Sequence, residues 1–314
     1  LRRRTGGNSE FRLCDYYDLI GGASTASLVA AGLALGFGVD DLIEFYRRHG
    51  PAMFGRRPDD GVYVRPRFNA PRFKRAAQLL LSVRTLGSED LRTGLAFNLL
   101  RAGTGAPWMG TNHPLGRAYE PSASNPFADK RYRLSDLAVA SAGGGLATDV
   151  TLEVDLDEKR RGAGKGHFVE SVAVNPSVAL CSLALDPRQR FGWKAGAEHL
   201  MLTSVGVGLR KPALPGAAFR ALSAAARAAH TMRLAAYEQQ TQAVALLQGL
   251  SASKKPWRMS DDGEDAAHVS FVANPVLDYQ RLDVAFDTKP KPRRAGDPQP
   301  PMTGMERVLG RELD

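Results

Sequence analysis

The chain has 314 residues, 43% apolar and 24% charged, which is ordinary for a globular protein and enough for one large core or two modest ones. Its 42 Lys and Arg against 33 Asp and Glu leave a net charge of +9, which favours anionic partners. No apolar run reaches the roughly 18 residues a membrane-spanning helix needs, and no aromatic-interleaved basic strand or recognition helix marks a nucleic-acid binder, so a phospholipid headgroup surface ranks above nucleic acid.

Leu1-Arg2-Arg3-Arg4 reads like the end of a helix already under way. An upstream segment is therefore expected, and any signal peptide with it, so localisation is not readable. Cys14 and Cys181 form neither a metal-ligand spacing nor a disulfide framework, and they fit a reducing, cytoplasmic compartment for a soluble or peripherally bound protein.

After the Gly6-Gly7-Asn8 loop, the apolar run Tyr16 to Ile20 is short enough for a buried strand and ends in Gly21-Gly22. Ala23, Ser24, Thr25 and Ala26 follow, then a small-residue helix from Leu28 to Leu35. Strand, glycine turn, serine, helix is the layout of a nucleophile elbow, which lifts a serine hydroxyl above the next helix's N-terminus on a strained turn. Small residues are required two before and two after the serine, where strand and helix nearly touch. Gly22 meets the first requirement fully, and Ala26 meets the second in part. The alternative is a plain glycine turn whose serine caps the helix.

The spacing predicts an amphipathic helix over Val39 to Met53, with Leu42, Ile43, Phe45 and Tyr46 apolar and Arg47-Arg48 toward its C-terminal end. Residues 55–72 set arginines among prolines and aromatics, a loop able to face an anionic surface but read first as a solvated loop over the core. Phe73 to Val83 reads as a helix and Gly87 to Arg92 as a short helical piece. Leu95 to Leu100 and the stretch after Gly103-Thr104-Gly105 read as strand, turn, strand. His113, before Pro114, reads as a turn histidine. A helix from Arg133 to Ser141 stops at Gly143-Gly144-Gly145, and Val150 to Leu156 alternates like a strand. Gly162 to Gly166 lacks the first glycine and the Ser/Thr of a phosphate-binding loop and reads as a flexible basic loop. Then come His167 to Glu170, Asn175-Pro176, a helix from Ser177 to Leu185, a strand from Leu200 to Val205, an interrupted alanine-rich helix from Ala217 to Leu247, and a late strand at Arg281 to Val284. Residues 1–287 form the expected domain. Residues 288–314 are a basic, proline-rich linker with a short amphipathic tail.

The run DYYDLIGGASTASLVAAGLALGFGVDDLIEFY resembles the elbow block of the bacterial patatin-like phospholipases, in which a G-T-S-T-G turn precedes an alanine-rich helix. TGAPWMGTNHP, from Thr104 to Pro114, is similar to the TGxPW…NNP stretch of that group. Leu200 to Gly208 is similar to LLLVSVGTG, and Arg281 to Val284 to RYDV. The likeness runs from about Asp15 to Asp283.

It implies a three-layer α/β/α fold around a central, mostly parallel sheet. It also implies a lipid acyl hydrolase that cleaves fatty-acyl esters of phospholipids or neutral lipids in lipid metabolism. Such enzymes use a Ser–carboxylate dyad and no metal or cofactor. Ser24 takes the nucleophile's place, with Gly22, Ala23, Thr25 and Ala26 completing the elbow. The family's FVDGGVxxNNP is here FVESVAVNP, so Glu170 stands where the aspartate would be, longer by about 1.5 Å of methylene. The family's glycine-rich oxyanion loop is expected upstream of Leu1, since Gly143 to Gly145 lies after Ser24 and lacks the basic residue. A Ser…Asp…His triad through Asp186 or Asp261 and His268 satisfies the chain order of α/β-hydrolases. It ranks below the dyad, because Asp261 to Asp265 reads as a solvated loop. The altered motifs also admit a rival, a catalytically impaired relative that binds lipid or a protein partner.

Overall fold

The computed structural model describes residues 6–54, 70–101, 104–121, 128–142, 152–155, 165–171, 175–208, 212–252 and 270–284. The chain is of mixed α/β class. In order it forms β1 (Leu19–Gly22), α1 (Ala26–Ala34), α2 (Val39–Phe54), α3 (Ala70–Leu81), β2 (Gly94–Arg101), β3 (Ala106–Thr111), α4 (Leu134–Ala142), β4 (Leu152–Asp155), β5 (Lys165–Glu170) and α5 (Ser177–Leu185). It continues with β6 (Met201–Val205), α6 (Gly216–Ala221), α7 (Ala224–Gly249) and β7 (Asp278–Leu282).

β1 starts later than the apolar run predicts and takes in both glycines. A short 3₁₀ turn at Leu13–Asp15 captures the tyrosines instead, with the Tyr17 N–H donating to the Leu13 carbonyl at 3.0 Å. The helical piece expected at Gly87 to Arg92 is a series of turns. Backbone donors at both of its ends go to distant acceptors: Gly87 N–H to the Lys130 carbonyl at 2.9 Å and Arg92 N–H to that of Ala34 at 2.8 Å. The alanine-rich helix breaks after α6, and Ser223 caps α7 by accepting from the Ala226 N–H at 3.3 Å. In α2, Leu42 and Met53 are buried while Ile43 faces outward.

β1 pairs with β2 in parallel; β2–β3, β2–β5 and β4–β5 are antiparallel. The sequence leads one to expect a mostly parallel sheet, but the described residues form a mixed one. The reason for β2–β3 is local, since the short connection across residues 102–105 permits only a hairpin. β6 and β7 make a second, two-stranded parallel sheet.

The pairing registers place β1 and β5 on the same edge of β2. Residues 96–97 of β2 pair with β1 and with β3, while residues 99–101 pair with β5 and with β3. A strand has two edges, and β3 occupies one of them throughout. β1 and β5 therefore lie end to end along the other, running toward each other.

Leu95, Phe97 and Leu99 of β2 join Leu28, Phe73, Leu81, Leu134 and Leu137 in the main core, so α1, α3 and α4 share one face of the sheet. Leu180 of α5 lies over Gly21, where an added Cβ would meet its side chain at 2.7 Å. A smaller core joins Leu200, Val244, Leu247, Leu277 and Tyr279 beside α7, β6 and β7.

The chain divides into two compact units, one of residues 1–205 and 212–282, the other of residues 206–211 and 283–314. In the second, the Asp283 carboxylate accepts from the backbone N–H groups of Gly208 and Val284, both at 2.9 Å.

Candidate active site

The turn between β1 and α1 is tight and strained. A Cβ built on Gly22 would stand 2.6 Å from the Ala26 carbonyl oxygen and 2.7 Å from the Ser27 Cα, so only glycine lets strand and helix approach this closely. Ser24 has φ +54°, a left-handed conformation that non-glycine residues rarely adopt. Strain of this kind persists where the surroundings over-determine it, and it concentrates at functional sites.

Ser24 does not cap α1. The N-cap is Thr25, without a side-chain cap bond, and the Ser24 hydroxyl has no hydrogen-bonding partner among the described residues. Ser24 is half-buried, between the buried Ala23 and the half-buried Thr25 and Ala26. The turn is closed by backbone bonds from Ala26 to Ala23 at 3.2 Å and from Ser27 to Ser24 at 3.1 Å. The Ser24 and Thr25 N–H groups donate to no acceptor among the described residues. They lie at the positive end of α1, on successive left- and right-handed residues.

The backbone of Glu170 approaches the turn from the other direction. Gly22 stands opposite Phe97 and Glu170 opposite Leu99, on one edge of β2. Their levels differ by two residues of extended chain, roughly 7 Å. The topology thus brings the backbone of the expected acid close to the turn that carries the expected nucleophile.

Two residues that the sequence did not single out for the site hold the turn. The Ser27 hydroxyl donates to the Ser24 carbonyl at 2.6 Å, and the Tyr46 hydroxyl donates to the Thr25 carbonyl at 3.2 Å. A serine three residues after Ser24 is a sequence signal for such back-bonding. The Tyr46 contact spans 21 residues, and nothing local announces it.

Burial pushes the Tyr46 phenol up from 10.0 to about 12, and burial, the nearby Asp129 carboxylate adding to it, pushes Tyr132 the same way. Between about pH 10 and about pH 12 the unfolded chain releases these protons while the folded chain keeps them, so stability falls as pH rises. Tyr46→Phe is expected to flatten part of that fall. Through the lost Thr25 bond it should cost about 1 kcal/mol at neutral pH. Urea midpoints at about pH 8 and about pH 11 check both effects.

Among the described residues, neither His113 nor Asp186 hydrogen-bonds to Ser24. His113 stacks on Phe191 at 4.0 Å, in keeping with a turn histidine. Asp186 binds Arg188 through two oxygens at 2.9 Å, which holds its carboxyl below the usual range, and it caps a 3₁₀ turn. Asp261, His268, Gly143 to Gly145, most of Gly162 to Gly166 and residues 288–314 lie outside the described residues. A cavity of about 600 Å³ along β3 and α5, lined by Arg101, Trp108, Arg117 and Leu183, does not include Ser24. Among the described residues no His, Cys, Asp and Glu cluster could hold a metal ion, and no helix is long and apolar enough to cross a membrane. Compared with protein-family models and with curated proteins, the chain matches none at a significant level.

Proposed function

We propose that the chain is a serine-dependent lipid acyl hydrolase of the patatin-like kind, built as a three-layer α/β/α domain. The observation that carries this is the left-handed Ser24 on a turn so close that a Cβ on Gly22 would meet the backbone of α1. Helices α1, α3 and α4 on one sheet face, with α5 over Gly21 on the other, support the layered architecture.

In this scheme the Ser24 hydroxyl adds to the acyl carbonyl carbon of the ester as its proton passes to the Glu170 carboxylate. The Thr25 N–H donates to the oxyanion that develops on the carbonyl oxygen. The intermediate collapses, the C–O bond to the alcohol breaks, and the alcohol leaves with the proton from Glu170. Water then adds to the acyl-enzyme, with Glu170 relaying its proton back to Ser24, and a fatty acid departs. The dyad needs no metal or cofactor. The net charge of +9 suits a phospholipid substrate and peripheral contact with an anionic membrane surface.

A second proposal, an impaired relative that binds lipid or a partner, draws on Ala26, on Glu170-Ser171 in place of the aspartate motif, and on oxyanion donors limited to one turn among the described residues. A fluorophosphonate probe decides between them. The hydrolase predicts covalent labelling at Ser24, abolished in Ser24→Ala and slowed in Glu170→Gln. Lipid binding without labelling or ester hydrolysis overturns it in favour of the second.

A further inference from the structure

We propose that Ser27 is a positioning residue, whose hydroxyl holds the peptide between Ser24 and Thr25 so that the Thr25 N–H faces the developing oxyanion. This rests on the assignment of Ser24 as an acyl-transfer nucleophile.

The Ser24 carbonyl receives two bonds from one residue, the Ser27 N–H at 3.1 Å and the Ser27 hydroxyl at 2.6 Å. In a planar trans peptide the C=O and N–H point in opposite directions, so fixing the Ser24 carbonyl fixes the Thr25 N–H. Two donors on the carbonyl also polarise the amide and make its N–H the stronger donor.

Helix capping does not explain this serine. A capping hydroxyl accepts from an N–H of the first turn, whereas Ser27 donates to a carbonyl outside the helix. Core packing does not explain it either. Ser27 is 0% exposed among the apolar residues of α1, where alanine would fill nearly the same space without a hydroxyl to satisfy. A buried hydroxyl is retained where its hydrogen bond is made. The bond it makes is on the peptide that follows Ser24, whose N–H is that of Thr25. Tyr46 acts on the next peptide through the Thr25 carbonyl, so the two clamps fix successive planes of the turn.

The test compares Ser27→Ala with the unaltered full chain. With a water-soluble p-nitrophenyl ester, kcat is expected to fall about tenfold with KM unchanged, and fluorophosphonate labelling to slow by the same factor. The Thr25 amide proton, followed by NMR, should move upfield and exchange faster with solvent. Ser27→Cys, of similar shape but a weaker donor, should fall between the two, and it carries the test if Ser27→Ala does not fold. An unaltered Thr25 amide in Ser27→Ala overturns the clamp, whatever the labelling does. So does a loss of kcat no larger than that of an equally destabilised variant remote from the turn. An unaltered chain that takes no label overturns the acyl-hydrolase assignment, a separate outcome.

Discussion

Replacing Gly22 with alanine is expected to destabilise the fold by about 2–3 kcal/mol and to end any labelling of Ser24. The added methyl would sit 2.6 Å from the Ala26 carbonyl oxygen and 2.7 Å from the Ser27 Cα, and both are backbone atoms that cannot rotate away. Relief requires that α1 back off from β1, which pulls Ser27 from the Ser24 carbonyl and opens the turn. Gly21 supplies the comparison. Its added methyl meets the Leu180 side chain at 2.7 Å, and a leucine end can change rotamer. Gly21→Ala should therefore cost clearly less and leave the turn intact. Urea midpoints of the two variants check the difference, and equal losses would mean that the close approach at Gly22 is relieved more easily than the geometry implies.

Ser24→Gly is expected to abolish labelling while raising stability by about 1 kcal/mol. At φ +54° a serine carries a steric penalty that glycine does not, although glycine returns part of the gain through its freer unfolded chain. Ser24→Ala removes the hydroxyl but keeps the Cβ and its strain, so it should lose labelling with little change in stability. A glycine variant no more stable than the alanine variant would show that the turn holds no strain. A residue that costs the fold stability yet is kept is what the proposed role of Ser24 requires.

The β1–turn–α1 unit was legible in the sequence because its signals are local: an apolar run, paired glycines, then small residues at helical spacing. The hairpin of β2 and β3 was legible for the same reason, its turn chemistry lying within a few residues of both strands. The sheet's strand directions were not, because β2–β5 pairing joins residues some 70 apart in sequence, and no local pattern encodes which edge a strand takes. Gly87 to Arg92 misled for a related reason. Its helical spacing lost to distant acceptors on Ala34 and Lys130. Ser24 and Glu170 could be named from motif position. The clamps from Ser27 and Tyr46 needed the geometry, since a serine in a helix and a tyrosine in an amphipathic face have commoner explanations.

Because β1 and β5 advance on each other along one edge of β2, the spacing between the backbones at Gly22 and Glu170 changes in whole-residue steps. A slip of β5 by one residue would shift the strand by about 3.3 Å and exchange its two faces, and a slip of two would keep the faces but shift it about 7 Å. Neither step matches the roughly 1.5 Å that separates a glutamate from an aspartate. The ladder alone therefore does not tune the distance between Glu170 and Ser24 in steps that small. On the proposed hydrolase reading, a substitution in β4 or β5 far from the turn would then abolish labelling of Ser24 by misaligning the strand, with Ser24 and Glu170 both still present.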